Sequence, residues 1–293
     1  MKTVLLLTGI FISSFNAFAQ DINYKDSHTI ACHNCFDPQY ANNIEEVFPY
    51  TTTIELDIWD TKTWFGIGGW KALNNDWYVR HVATDKVNKN CCGGTLKDCL
   101  MRVSNWSKQH PDHSIITIII DKKENWSNNN ESRLPKNLDA LILSCFDESK
   151  ILTPSVLRGK KANLRDALTS NGWPTLESLK GKVMLVLTDG TVITGRQPLD
   201  EYLQSSGERA LCFVAPEIAS EPEISSPKGF SRASVNSIVF FNLSNENKSL
   251  ATQINSAGFI SRIYGIPENI NSVNELIKLK VNFIALYNYK IKL

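Results

Sequence analysis

The run Ser114-Ile-Ile-Thr-Ile-Ile-Ile-Asp121 puts apolar residues on both faces of an extended segment. Parallel strands need long crossovers, and those crossovers cover both faces of the sheet, so a strand of this composition belongs in a parallel sheet. A half-exposed antiparallel sheet would not accept it. Segments of strand character recur at 27–34, 51–59, 77–81, 182–187, 237–242, 259–264 and 282–287, with an additional short one at 211–215. Helical patterning fills most of the intervals. Leu96, Cys99, Leu100, Val103 and Trp106 fall at helical spacing, Thr95 and Asp98 stand in capping-box positions, and His110-Pro111 stops the helix. Residues 134–146 and 163–168 also read as helices, and 216–228, with three prolines and three glutamates, reads as a long loop. Counted without the 211–215 segment, eight strands alternate with helices, which predicts a closed (β/α)8 TIM-type barrel in one domain.

Composition narrows the class. Lysine plus arginine total 31 against 30 acidic residues, so no overall field draws the chain to nucleic acid or to an anionic membrane, and any phosphate recognition is local. The N-terminus has one lysine, a short apolar run and Ala17-Phe18-Ala19, the pattern of a secretory signal cleaved after Ala19. That predicts a signal peptide over 1–19, a barrel domain over 20–293, and a protein that is secreted or periplasmic. The Trp- and Gly-rich loop over 64–77 is expected to pack inside, with peripheral membrane contact as the alternative. Seven cysteines in an oxidising compartment predict disulfides, with at least one thiol left over. A bridge from Cys91 or Cys92 to Cys99 is expected. Cys32-His-Asn-Cys35 has the spacing of zinc or redox motifs but no second pair at zinc-finger spacing, so zinc is not expected.

The segment Thr51-Thr-Thr-Ile-Glu-Leu-Asp-Ile-Trp59 has strand composition with two carboxylates at its centre. Alternation puts Ile54, Leu56 and Ile58 on one face and Glu55 and Asp57 on the other, roughly 6 to 7 Å apart. Two ionised carboxylates in a partly buried place need a cation, a basic side chain or a shared proton. A hard divalent ion such as calcium, or less suitably magnesium, meets that need through oxygen ligands. Other polar residues also gather where strands end: His33, His81 and Asp121, with Lys123 in phase with Asp121. In a barrel of this class that rim is where catalysis occurs. His110 and His113, beside Pro111 in a helix-to-strand connection, are read as structural.

These residues resemble a known family. His33-Asn34, Glu55-Leu-Asp57, His81 and Asp121, in that order, look like the catalytic half of phosphatidylinositol-specific phospholipase C enzymes. His81-Val-Ala-Thr-Asp85, Trp106-Ser-Lys, His110-Pro-Asp-His113, Leu164-Arg-Asp-Ala167 and Gly172-Trp-Pro-Thr-Leu176 resemble the bacterial calcium-dependent branch. The resemblance implies a calcium site built from Asn34, Glu55, Asp57 and Asp121. It also implies that His33 and His81 flank a scissile phosphate. His81 is then the general acid; His33 or Glu55 is the base, a choice the resemblance leaves open. Attack by a neighbouring hydroxyl of the substrate would give a cyclic phosphodiester. Arg262 and Tyr264 match an arginine-x-tyrosine that contacts the inositol headgroup in eukaryotic relatives, and Lys123 is placed to meet a phosphate oxygen as a point charge.

Two departures stand out. Cys35 replaces the serine usual after histidine-asparagine, and residues 183–187 lack the lysines that hold extra phosphates in eukaryotic enzymes. The implied partner is a phospholipid or related phosphodiester. A glycerophosphodiester phosphodiesterase or a phospholipase D-like lysophospholipid hydrolase is the second reading, against which Asn34 speaks, since those enzymes place arginine there. A non-catalytic barrel binding an inositol or sugar phosphate through calcium is the third.

Overall fold

Nine strands join into one sheet among the described residues: β1 (Thr29–Cys32), β2 (Thr53–Trp59), β3 (Tyr78–Val79), β4 (Ile116–Lys122), β5 (Val183–Asp189), β6 (Cys212–Val214), β7 (Phe240–Ser244), β8 (Ile260–Tyr264) and β9 (Phe283–Leu286). Eight run in the order β6-β5-β4-β2-β1-β9-β8-β7, each paired in parallel with the next. The ends of this row meet at an isolated parallel bridge between Glu217 and Asn242. There the Asn242 N–H donates to the Pro216 carbonyl at 2.9 Å and the Ile218 N–H to the Asn242 carbonyl at 3.2 Å. The result is a nearly closed eight-stranded parallel barrel, as the strand count predicted. This computed structural model describes residues 21–60, 76–82, 85, 89–126, 133–190 and 198–293; the expected signal segment and residues 64–75 of the Trp-Gly loop lie outside them.

The membership of the eight differs from the expectation. The segment at 77–81 is not a barrel strand: β3 pairs antiparallel with the end of β2, Ile58 opposite Val79 and Trp59 opposite Tyr78. A parallel strand beside β2 would need a long crossover, normally helical, and the residues between 60 and 76 carry no helical pattern. The omitted segment takes the vacant place. Cys212, Phe213 and Val214 are all buried and pair with β5, so a strand of only three residues completes the wall.

All seven residues of β2 and all seven of β4 are buried. In β4, Ile116, Ile118 and Ile120 are fully covered and Ile119 nearly so; burying each contributes about 1.5–3 kcal/mol. Helix α1 (Leu96–Gln109) buries Leu96, Cys99, Leu100 and Val103. At its start the Thr95 N–H donates to the Asp98 carboxylate at 2.8 Å. At its end His110 stacks on Trp106 with ring centres 4.2 Å apart, and His113 Nε2 lies 2.7 Å from Ser107 Oγ.

Behind the end of β4, Lys122 is fully buried, and its ammonium donates to Asp60 Oδ1 at 2.6 Å and to the Glu124 carbonyl at 2.6 Å. Asp60 Oδ1 also accepts from the Trp77 indole N–H at 2.9 Å. Of the cysteines, Cys92 is bonded to Cys99 and Cys32 to Cys35, while Cys91, Cys145 and Cys212 are buried thiols. The first bridge is one of the two expected; the second was not foreseen. Replacing Cys99 with alanine, which frees the start of α1 from the preceding loop, is expected to lower stability by about 2–3 kcal/mol in denaturant titration.

Candidate active site

Register assembles the site. Across the β2–β4 ladder Asp57 stands opposite Asp121, and across β4–β5 Asp121 stands opposite Thr188. On the far side of the barrel Asn242 of β7 faces Arg262 of β8. Side chains in these positions lie at one end, the carboxyl ends of the strands, where β1 also delivers His33 and Asn34. Glu55, Asp57 and Asp121 each bring an oxygen to within 4.8 Å of the others, and all three residues are buried.

Two cations share this cluster. The Lys123 ammonium donates to Asp121 Oδ2 at 2.6 Å and sits 3.0 Å from Asp57 Oδ2. Arg262 Nη2 lies 2.8 Å from Glu55 Oε2, and its Nη1 donates to Asn242 Oδ1 at 2.8 Å. Neither the Asp57 contact nor the Glu55 contact has hydrogen-bond alignment. Burial pushes the Asp57 carboxyl well up, helped by repulsion from Asp121 and Glu55 and opposed by Lys123. Burial acts on Asp121 in the same sense, but Lys123 and the Thr188 hydroxyl, which donates to it at 2.9 Å, outweigh burial and hold it low. For Lys123 burial favours the neutral amine, yet the two aspartates prevail and raise it.

Both oxygens of Asp57 and both amide atoms of Asn34 are buried without hydrogen-bond partners. Buried polar atoms in that state call for a partner, and a bound ion is one that these residues can accept. All the donors are oxygens, the preference of a hard cation. The acidic cluster therefore fits a metal ion, with Glu55, Asp57 and Asp121 as its carboxylates.

His33, Glu55, Asp121 and Lys123 line one cavity of about 350 Å3, and His81, Arg262 and Tyr264 line it too. Seven of the nine residues singled out from the sequence thus meet at one opening; Asn34 and Asp57 lie buried rather than in its wall. Both imidazoles are at the same end as the acids. His81 arrives from the loop after β3, not from a barrel strand. His33 Nε2 is 3.6 Å from Glu55 Oε2, and its ring stacks on Tyr287, which stacks on Tyr40, each pair 4.7 Å apart. Burial holds the His33 imidazole below its ordinary value; Glu55 opposes this, while Arg262, Lys123 and His81 reinforce it. A larger groove of about 620 Å3 opens elsewhere, but its charged groups, Arg158 and Glu208, pair with each other at 2.7 Å.

A family model described as Ca2+-dependent phosphoinositide phospholipase C matches residues 73–217. The calcium-dependent phosphoinositol-specific phospholipase C of a Pseudomonas species superposes with a TM-score of 0.84 at 32% identity, covering 92% of each chain. The chain belongs to the calcium-dependent phosphoinositide phospholipase C family. With that membership comes the reaction class of a phosphoric diester hydrolase. The Pseudomonas enzyme has also been solved with myoinositol, and that structure superposes at 0.83, 32% identical over 93% of this chain and 92% of the other. A Streptomyces antibioticus Ca2+-dependent phosphatidylinositol-specific phospholipase C, 18% identical, shares the fold at 0.73 over 92% and 95% of the two chains. No curated protein matches the sequence.

Several residues at the cavity escaped sequence reasoning. Strand β5 runs past Leu187 to Asp189, which brings Thr188 to Asp121 and Asp189 into the wall; burial, with Asp121 and Glu217 nearby, pushes the Asp189 carboxyl up to about 7. Glu217 accepts from the Tyr264 hydroxyl at 2.8 Å. The polar triplet Thr188-Asp-Gly190 after an apolar run was the available signal. Gly190 is required by close approach: a Cβ there would lie 2.8 Å from both Asp121 Oδ2 and Lys123 Cδ. Gly190→Ala is expected to displace Asp121 and weaken divalent-metal affinity about 10- to 100-fold. Calorimetric titration, with circular dichroism to check the fold, measures this.

Proposed function

We propose that the protein is a secreted, calcium-dependent phospholipase C that cleaves the phosphodiester of an inositol phospholipid by attack of the neighbouring headgroup hydroxyl. The observation that carries this is the convergence of two imidazoles, an oxygen-only donor set and two cationic side chains on one cavity. Phosphodiester cleavage needs a base for the nucleophile, charge to stabilise the phosphoryl oxygens, and an acid for the leaving oxygen. When bound, calcium held by Asn34, Glu55, Asp57 and Asp121 would offset phosphoryl charge and acidify the attacking hydroxyl.

The chain's own groups do the rest. His33 accepts the proton of the attacking hydroxyl, a role that suits it better than Glu55, whose Oε2 is already 2.8 Å from Arg262. As that oxygen bonds to phosphorus the ester bond to the diacylglycerol oxygen breaks, and His81 donates its proton there. The products are diacylglycerol and a cyclic inositol phosphodiester. Arg262 and Tyr264 hold the headgroup, and Lys123 meets a phosphoryl oxygen. Two disulfides support an oxidising compartment and hence cleavage after Ala19 and export. Among the described residues no helix is long and apolar enough to cross a membrane.

Turnover of labelled phosphatidylinositol with calcium, then with excess chelator, tests the reading. Metal-dependent release of inositol phosphate and diacylglycerol is expected; release of choline from lysophosphatidylcholine instead would overturn it. Asp57→Asn should remove the metal dependence with its activity while leaving the fold intact, and turnover by that variant would exclude Asp57 as a ligand.

The pH profile gives a second check. A base held below its ordinary 6.5 stays neutral, and competent, to lower pH. The acid limb of kcat/KM should therefore fall below 6.5, where His33 gains its proton; a limb above that value would refute His33 as the base.

A further inference from the structure

The pair of cysteines that encloses His33, a residue of the cavity wall, and Asn34 is fully buried, yet none of the chemistry above uses it. Strand β1 ends at Cys32, which is in register with Leu286 and Ile54. Past that point the His33 N–H donates to the Leu286 carbonyl at 2.9 Å, and the chain leaves the sheet. Asn34 then adopts φ +56°, the left-handed region that residues with a Cβ seldom occupy and that asparagine enters more readily than most. Its side-chain amide is fully buried and has no partner to orient it. No side-chain hydrogen bond therefore holds the Asn34 carboxamide in place; its orientation follows from the backbone bend, whose far side is closed by the Asp37 N–H donating to the Asn34 carbonyl at 2.9 Å.

The Cys32–Cys35 bond constrains that bend as well. Both cysteines are fully buried, their Cα atoms are 5.5 Å apart, and only His33 and Asn34 lie between them. Its far end is itself fixed, because the Cys35 carbonyl accepts from the Cys91 thiol at 2.8 Å and the Phe36 carbonyl accepts from the Cys91 N–H at 2.6 Å. A bridge across so few residues removes little loop-closure entropy from the unfolded chain, less than Cys92–Cys99 with its separation of seven. Its effect is felt mainly in the geometry of the two residues it encloses.

We propose that the Cys32–Cys35 disulfide is a positioning element of the active site, which sets the bend that presents the His33 imidazole and the Asn34 carboxamide beside the acidic cluster. The site is then complete only when the bond is formed, which ties its competence to an oxidising compartment. The roles of His33 and Asn34 in this proposal rest on the functional reading above; the bend and its closure do not.

The test compares the unaltered protein with Cys32→Ala/Cys35→Ala and, as a control for loss of a bridge, Cys92→Ala/Cys99→Ala. Calcium affinity is read by calorimetry, turnover by phosphatidylinositol cleavage, and folding by circular dichroism and melting. Opening the enclosed pair is expected to cost about 10- to 100-fold in calcium affinity, the usual penalty for losing support around a ligand, and to lower kcat with little change in KM. The control is expected to melt earlier with its calcium affinity unchanged.

Calcium affinity and kcat of Cys32→Ala/Cys35→Ala equal to those of the unaltered protein would overturn the proposal. If that variant fails to fold, Cys32→Ser/Cys35→Ser is measured in the same way, and failure of both to fold would overturn it too, since the bond would then be a folding staple. Absence of calcium binding and turnover in the unaltered protein would sink the functional reading and this inference with it. Their presence alongside an unaffected variant would sink the inference alone.

Discussion

Three buried carboxylates at one end of a parallel barrel are the constraint on which the rest of this molecule depends. Glu55, Asp57 and Asp121 are each less than a tenth exposed, and unpaired charge in such a place is costly. Lys123 lies against two of them and Arg262 against the third, so two cations answer three acids. The imbalance shows at Asp57, whose carboxyl is pushed up by burial and by its acidic neighbours. A divalent ion would reverse the sign of that imbalance, which is why the same side chains read as internal salt bridges and as ligands. The arrangement tolerates little error. Shifting β2 by one residue against β4 would turn Glu55 and Asp57 toward the helices and bring Leu56 inward.

What could be read from the sequence was local, and what could not was pairing. The acidic couple in β2 declares its face by alternation, and the isoleucine run of β4 declares cover on both faces by its lack of it; β4 is buried throughout, and Asp57 pairs across the ladder with Asp121. The split between 77–81 and 211–215 was invisible because short apolar segments of either kind look alike until their partners are known. Trp77-Tyr-Val has the richer strand composition, yet Cys212-Phe-Val carries the wall, because β6 can reach β5 through a helix and β3 cannot reach β2 except by folding back. Asn242 was silent for the same reason: it becomes informative only once register sets it across from Arg262. Tyr287 and Tyr40, which back the His33 ring, are far apart in sequence, and no spacing rule connects them.

The barrel closes weakly where β6 and β7 meet, at a single bridge, and this weak seam lies beside the Arg262 and Tyr264 side of the cavity. Glu217, at the bridge, takes the Tyr264 hydroxyl; Asn242, its partner there, takes Arg262. The polar side chains at the seam are thus committed to orienting two candidate headgroup contacts. A fully laddered β6–β7 pair would have placed a longer strand where the loop after β6 now presents Glu217.

Consecutive lysines at the end of β4 help explain how His81, carried outside the barrel, still lines the same cavity as Glu55 and Asp121. Alternation sends Lys122 outward and Lys123 inward. The inward lysine binds Asp57 and Asp121, while the outward one is buried against Asp60, which also holds the Trp77 indole at the base of the β3 arm. The arm is tied to β2 a second time, by the Arg80 N–H on the Asp57 carbonyl at 3.2 Å and the Trp59 indole on the Arg80 carbonyl at 2.9 Å. His81 is the next residue. Its position therefore follows from the same backbone that carries Asp57, so a group delivered by an antiparallel arm is held to the acidic cluster almost as directly as one on a barrel strand.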